Sequence, residues 1–405
     1  MRVLVVTNHF PPDLGPSSPL FGTLSQQLHQ RGHSVTVLAA VPHYPSGFVQ
    51  EEFRRGWIHR STEDGLEVIR VRVPSGDRSN FAIRLLQFFA YQIGAVWAGS
   101  RLAYDVVLIS SPALMTGLPF LFLSVLRQKP AVLSVHDVYP DVGVSLGLFR
   151  SRLVIGAVAK MERFCLGHAV WVRYLSESFR PALKALGVPD SKLALIYDWV
   201  DTELIRPLPR ENSFSREQGL DGRFTVMYAG NIGLSQGLET VLAAARLLAN
   251  RPEIAFVFVG NGSGCQRLRE KAREMELTNV RFLPFQPRSR LAEVLASADA
   301  SLVVLLRGIG ARSLPSKTFS ILASGRPVIA CVEEGTGTWE MLQKSGAGMC
   351  LPPENPEALA EAILVLRDNP LLRQRLGANG RAWAEAHHSP KTAAEQFERL
   401  LAAAI

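Results

Sequence analysis

Cysteine is scarce in this chain of 405 residues, where Cys165, Cys265, Cys331 and Cys350 are the whole complement. Their spacing fits neither a metal-ligand pattern nor a disulfide framework. That excludes a stapled mini-fold and reads as free thiols in a reducing compartment. No H-E-x-x-H helix and no Walker G-x-x-x-x-G-K-[ST] pattern occurs, and "GNGSG" falls short of the six-residue dinucleotide fingerprint. An acidic D-x-D pair, able to hold a divalent ion beneath a diphosphate, is lacking as well. The start, "MRVLVVTNHF", lacks the length and cleavage site of a signal peptide and is expected to form a first β-strand.

What is present is rhythm. In the first half "RVLVV", "SVTVLAA", "VIRVRV", "DVVLIS", "AVLSV" and "AVWVRYL" read as strands separated by helical stretches. In the second half "FTVMYAG", "IAFVFVG", "VRFLPF", "ASLVVLL" and "RPVIACV" repeat the pattern. Such alternation predicts an α/β fold with two doubly wound parallel-sheet domains. The stretch between them, rich in Pro, Arg and Glu, reads as a linker over about 200–222. The expected domains are residues 1–200 and 223–387, followed by a helix over 388–405 that Ser389 and Pro390 begin. Ligands of such sheets bind beyond the carboxyl ends of the strands, so two facing domains imply a cleft.

Residues 1–200 hold 20 Lys and Arg against 14 Asp and Glu, and the rest of the chain is nearly balanced. A mildly basic first half suits phosphate or an anionic membrane surface, and a bare solvated surface equally; no nucleic-acid partner is expected. Residues 81–103, "FAIRLLQFFAYQIGAVWAGSRLA", are the most apolar stretch. Arg84, Gln87 and Gln92 interrupt it, and a membrane span between two strands of one domain would tear the sheet apart. It reads as a helix, either buried or lying in a membrane interface. Phe81, Phe88, Phe89, Tyr91 and Trp97, flanked by Arg78 and Arg101, lean toward the interface.

The stretch "SLPSKTFSILASGRPVIA" sets Lys317 at the start of a short helix that Ser316 can cap and Gly325 ends. A cation there opposes the helix dipole, and a bound anion would resolve the conflict. Two further glycine turns, "YAGNIGLSQGLET" and "FVGNGSGCQRLRE", follow strands of the same domain and are expected to aim backbone amides at a phosphate. In the first half His136 and Asp137 of "HDVYPD" follow the strand "AVLSV". The loops "PPDLGPSS" and "VPHYPSG" bring Asp13, Gly15, His43 and Tyr44 to the same sheet edge.

Taken together, "NHFPPDLGPSS", "VHDVYPD", "VDTELIRP", "YAGNIGLSQGLE", "FVGNGSG", "LPSKTFSILASGRPVIA" and "PPENPEALAEAI" resemble, in this order, the family 4 nucleotide-sugar glycosyltransferases. The resemblance is strongest to the bacterial colanic-acid, O-antigen and capsule branch related to the fucosamine transferases. It implies the GT-B fold, two facing Rossmann-like domains with the C-terminal helix crossing back to the first. It also implies retention of anomeric configuration, no metal or other cofactor, and a donor held mainly by the second domain. The implied partners are a nucleoside-diphosphate sugar, a UDP-sugar above all, and a glycan or polyprenyl-diphosphate-linked acceptor. The setting implied is cytoplasmic, at the inner face of the cytoplasmic membrane.

By position, the resemblance assigns His136, Asp137 and Lys317 to catalysis and Asp13, His43 and Tyr44 to the acceptor side. It assigns Gly15, Gly230, Asn231, Gln236, Gly237, Asn261, Phe285, Ser316 and Lys317 to the donor. Asn231 and Gln236 stand where many members carry Arg and Lys, which throws the diphosphate's charge onto Lys317. The family's pair of glutamates falls on Arg312 and Ser320, so the ribose contact passes to Glu340; Pro16 replaces the second glycine of the first loop. The competing expectations are a non-catalytic subunit on the same fold, or a sugar-nucleotide epimerase, for which no acidic set poised for proton abstraction is evident.

Overall fold

Apolar runs of Val, Leu, Ile and Ala, too short for stable helices, become strands buried on both faces of parallel sheets. The computed structural model of the protein describes residues 1–15, 17–77, 80–137, 152–233, 236–310 and 314–405, with the side chains of Phe81 and 152–154 left aside. Pro16, Arg78, the tail of "HDVYPD" beyond Asp137, and Arg312 lie outside the described residues. The chain divides into two units, residues 1–198 with 390–405, and residues 199–389.

The first unit is an eight-stranded sheet. In chain order its strands are β1 (Arg2–Val6), β2 (Ser34–Ala40), β3 (Ile58–Glu63), β4 (Leu66–Val71), β5 (Val106–Ser110), β6 (Ala131–Val135), β7 (Trp171–Tyr174) and β8 (Leu193–Leu195). They lie in the order β3-β4-β2-β1-β5-β6-β7-β8, all parallel except the β3–β4 hairpin. The order reverses between β1 and β5, the place where loops part to admit a ligand. The two edge strands, β3 ("IHRSTE") and β8 ("LAL"), escape a search for apolar runs because one is polar and the other very short.

The second unit has six parallel strands: β9 (Phe224–Ala229), β10 (Ile254–Val259), β11 (Val280–Leu283), β12 (Ala300–Val304), β13 (Val328–Cys331) and β14 (Gly348–Leu351). Their order is β11-β10-β9-β12-β13-β14, with the reversal between β9 and β12. The stretch read as a linker is instead built into this unit. Ile205 joins the core around Phe319, and Asn212 caps the helix Ser213–Glu217 while donating to the Glu293 carbonyl at 3.1 Å. The closing helix, Pro390–Ala402, packs in the first unit, where Glu398 accepts from Arg31 Nε at 2.6 Å and lies 2.9 Å from His33 Nε2.

Asn80 caps the helix Phe81–Gly99, accepting from the Ala82 amide at 2.9 Å. The helix is two-faced. Phe88 and Tyr91, read as interfacial, are buried with Ala95 and Ala98, and Tyr91 Oη reaches the Thr7 and Leu38 carbonyls at 2.9 and 3.0 Å. Leu86, Phe89, Ile93 and Trp97 point out. Among the described residues no helix is long and apolar enough to cross a membrane.

Glu162, on the helix Arg152–His168, is buried and accepts from the Ala113 amide at 2.9 Å. Burial pushes its carboxyl from an ordinary value of 4.5 up to about 7. A raised carboxyl contributes fully below its unfolded value and loses that contribution as pH climbs through the folded one. Glu162→Gln should therefore raise Tm by about 2–4 °C at pH near 8.5, with no gain at pH near 4. A Tm difference independent of pH would contradict this account of Glu162.

Candidate active site

Beyond the ends of β9 and β10, two glycines let two loops touch. Gly230 has φ +136° and Gly260 φ +147°, and a Cβ on Gly260 would sit 1.9 Å from the Gly230 carbonyl oxygen. The loops are stitched by Gly230 N–H to Val259 O at 2.8 Å, Ile232 N–H to Asn261 O at 2.9 Å and Gly264 N–H to Ile232 O at 2.9 Å. These amides, expected from the sequence to face a phosphate, are thus consumed in holding the loops together.

The vacancy of side chain at Gly230 is filled by Lys317: a Cβ there would lie 3.3 Å from Lys317 Cε and 3.4 Å from Nζ. Lys317 opens the helix Lys317–Ala323, between β12 and β13, at the point where the sheet order reverses. Its ammonium donates to the Tyr228 hydroxyl and to Gln236 Oε1, the latter at 3.3 Å, and stands 3.7 Å from the centroid of the Tyr228 ring. The Tyr228 hydroxyl in turn donates to the Asn231 carbonyl at 2.7 Å. Among the described residues no carboxylate pairs with Lys317, and burial lowers it from 10.5 to about 7. Ser316 occupies the N-cap position but does not cap: its backbone is already helical (φ −59°, ψ −23°), which turns the hydroxyl away from the amides it was expected to meet.

A cavity of about 530 Å³ opens in front of this lysine. Of the expected donor residues, Gly230, Asn231, Gln236, Phe285, Ser316 and Lys317 line it. Tyr228 and Arg288 were not anticipated. Tyr228 is the penultimate residue of β9, where its size looked like core, and Arg288 follows Phe285 into the lining from the loop after β11. Asn261 lines a separate cavity with Arg269 and Arg273, its Oδ1 occupied by the Gly262 amide at 2.8 Å. Gly237, at φ +60°, packs on Leu306. Glu340 sits on the helix Gly337–Ser345, outside the lining of the cavity, 4.0 Å from Lys344 Nζ.

In the first unit, His136 follows β6 and is held from behind. Its Nε2 lies 3.2 Å from Ser134 Oγ and its Nδ1 3.7 Å from Asp198 Oδ1. Arg173, fully buried, donates to the same Asp198 oxygen at 2.6 Å. Burial raises the Asp198 carboxyl, but Arg173 and then His136 outweigh it and hold the group well below the usual carboxylate range. Asp137, beside it, is exposed.

Asp13 is buried and braces two loops: it accepts from the amides of Gly15 at 2.7 Å, His43 at 3.0 Å and Tyr44 at 3.3 Å. His9, unremarked in the sequence, completes the cluster with Nδ1 3.3 Å from Asp13 and its ring stacked on His43 at 5.3 Å. Gly15 is glycine because a Cβ would fall 2.2 Å from His9 Cγ. His9, Asp13 and His43 could in principle offer atoms to a metal, all within 4.8 Å of one another. The His43 Nδ1 donates to the Val41 carbonyl at 2.8 Å and Asp13 accepts from the amides, which braces the two loops.

The family described as "Glycosyl transferase 4-like domain" matches residues 19–199, and that described as "Glycosyl transferases group 1" matches residues 210–383. The chain is 28% identical over 388 residues to an Escherichia coli (strain K12) protein bearing the name colanic acid biosynthesis glycosyl transferase WcaI, covering 92% of this chain and 95% of that one. It is 26% identical over 411 residues to the GDP-mannose-dependent alpha-(1-6)-phosphatidylinositol monomannoside mannosyltransferase of Mycobacterium tuberculosis (strain H37Rv), covering 99% and 98%. Among solved structures, Anabaena HepE in complex with UDP-glucose superposes with a TM-score of 0.73 at 15% identity, over the full length of both chains.

Two outcomes test the geometry. Because folding lowers the Lys317 value, the unfolded chain binds the extra proton between about pH 7 and 10.5, and stability rises with pH across that window. Lys317→Met should flatten that rise and be at least as stable as wild type at pH 6.5, read as Tm without ligand. Asp198→Asn should destabilise the first unit by about 3–5 kcal/mol, by stranding Arg173, and Asp198→Asn with Arg173→Met should recover much of it. A double variant no better than the single one would show that the pair does not act as one.

Proposed function

Because the chain belongs to the family 4 glycosyltransferases of the GT-B fold that serve bacterial polysaccharide synthesis, we propose a specific transfer for it. It moves a sugar, with retention, from a nucleoside-diphosphate sugar to a hydroxyl of a glycan or polyprenyl-diphosphate-linked acceptor. UDP is the base to test first. HepE was solved with UDP-glucose, whereas the mycobacterial relative is named for GDP-mannose.

The observation that carries this reading is a half-buried ammonium with neutral partners, facing a cavity of about 530 Å³. Drawing a cation out of water without a counter-charge is costly, and such groups cluster at functional sites. A pyrophosphate in the cavity supplies the missing anion. Arg288 lines the same cavity and, among its described lining residues, no carboxylate competes for either cation. This supports neutralising the diphosphate with side chains, without a metal ion. Ser320, standing where the family's second glutamate falls, also lines the cavity, which Glu340 does not, and is therefore better placed than Glu340 for a ribose hydroxyl.

In the reaction the bond from the anomeric carbon to the leaving phosphate oxygen breaks, and that oxygen takes the electron pair. Lys317 stabilises the charge as it develops, in a site that is already organised before substrate arrives. The acceptor oxygen bonds to the anomeric carbon from the same face, and its proton passes to the departing phosphate. In the first unit, His136 is held with Ser134 and Asp198 behind its ring nitrogens.

Calorimetric titration with UDP, GDP, ADP and dTDP should reveal one preferred diphosphate. At pH near 8 binding should take up close to one proton, because the anion restores a lysine that sits at about 7 in the free protein. Affinity should be level below about pH 7 and fall by up to about tenfold per unit above it. Lys317→Ala should cost on the order of 100-fold or more in turnover of the matching sugar nucleotide. No stabilisation by any of the four diphosphates, or identical binding by Lys317→Ala, would remove the basis for this assignment. Diphosphate binding without turnover of any sugar nucleotide would favour the non-catalytic subunit.

A further inference from the structure

A further cavity of the second unit, of about 670 Å³, opens at the other edge of the sheet from Lys317. Asp299, just before β12, and Arg326 and Pro327, just before β13, line it. It therefore lies at the amino ends of the strands, whereas the cavity in front of Lys317 lies beyond the carboxyl ends of β9 and β10. Its other wall is the helix Pro370–His387. A Cβ on Gly377 would fall 2.1 Å from the Gly325 carbonyl oxygen, so the bare glycine lets this helix sit directly on the turn that ends Lys317–Ala323.

Four arginines line the cavity, Arg210, Arg326, Arg373 and Arg381, against two carboxylates, Asp299 and Glu385. Both carboxylates are already engaged. Asp299 accepts from the Thr225 amide at 2.8 Å and from Arg210 Nε at 3.2 Å, and Glu385 accepts from Arg381 Nε at 2.6 Å. Among the described residues Arg326 and Arg373 have no carboxylate partner. Arg326 commits Nη2 to the Leu208 carbonyl at 2.9 Å, and Arg373 commits Nη1 to the carbonyls of Leu366 and Arg367. Two cations are thus in excess at one cavity, each with guanidinium N–H groups to spare. Burial lowers the Arg326 value; Asp299 opposes this and the charge of Arg210 adds to it.

We propose that this cavity binds an anion of its own, a phosphate monoester on a small organic body. Forked guanidinium groups match phosphate oxygens in pairs. Pro207, Pro327, Pro370, Ala378 and Ala382 give the organic body an apolar wall, and the volume suits a small molecule. The first two turns of the 18-residue helix Pro370–His387 line the cavity as well, so the positive end of its dipole adds to the same field. The inference stands apart from the assignment of donor and reaction, so either can fail alone.

Calorimetric titration of full-length Lys317→Ala, whose other cavity lacks its cation, tests it with inorganic phosphate and with ribose 5-phosphate. Both should bind saturably, ribose 5-phosphate the more tightly, and both more weakly as salt is raised. Gln374 and Ala378 are exposed, one turn apart on the lining helix. Adding Gln374→Glu with Ala378→Glu should cost about tenfold or more in affinity with Tm unchanged, since the new carboxylates take the place of the anion. Arg326→Gln in the same background should cost about tenfold. No saturable binding of either compound overturns the proposal, as does equal binding by the doubly acidic variant. Ribose 5-phosphate no tighter than inorganic phosphate would overturn the organic body.

Discussion

A lysine ammonium over a tyrosine ring, with two neutral oxygens for company, is the constraint around which the second unit's loops are arranged. Gly230 must lack a side chain to leave it room, and Gly260 must lack one to let the neighbouring loop close on Gly230. Tyr228, next to last in β9, has to have its hydroxyl tied to Asn231, so that the ring is fixed as a platform. None of these features is needed to complete the sheet. Each is needed to hold a cation at a place where water is thin and its charge is correspondingly strong.

The first unit solves a different problem with opposite means. Its His136 sits against a buried pair of full charges, Arg173 and Asp198, which compensate each other. Such a pair contributes little net stability compared with apolar packing, but it fixes a ring orientation that apolar side chains could not. Asp13 does similar work for backbone: one carboxylate gathers three amides from two loops and thereby sets the approach to His43 and Tyr44.

Much of this was readable from the sequence, and the failures have physical causes. The central strands of both sheets are buried on both faces, so their residues are uniformly apolar and unmistakable. The missed strands are β3, whose residues are polar, and β8 and β14, which are brief. Lys317 was conspicuous because its charge opposed its position, whereas Tyr228 looked like ordinary core and His9 like ordinary loop. The apolar helix Phe81–Gly99 was recognised, but not which of its aromatics faced inward. Phe88 and Phe89 are adjacent in sequence and opposite in fate, and only the packing against β1 and β2, where Tyr91 finds its carbonyls, decides between them. The supposed linker illustrates a further gap: Pro and Arg suggested a tether, while Asn212 and Ile205 make specific attachments that composition does not register.

The first unit is discontinuous, with the whole of the second inserted between residue 198 and the helix Pro390–Ala402. On a ribosome, the ion pairs of Arg31 and His33 with Glu398 cannot form until all of the second unit's residues have been synthesised. The unit begun first is therefore completed after the second, and a nascent first unit must wait, with one flank of its helix Ser18–Gln30 uncovered, for the helix Pro390–Ala402 to arrive.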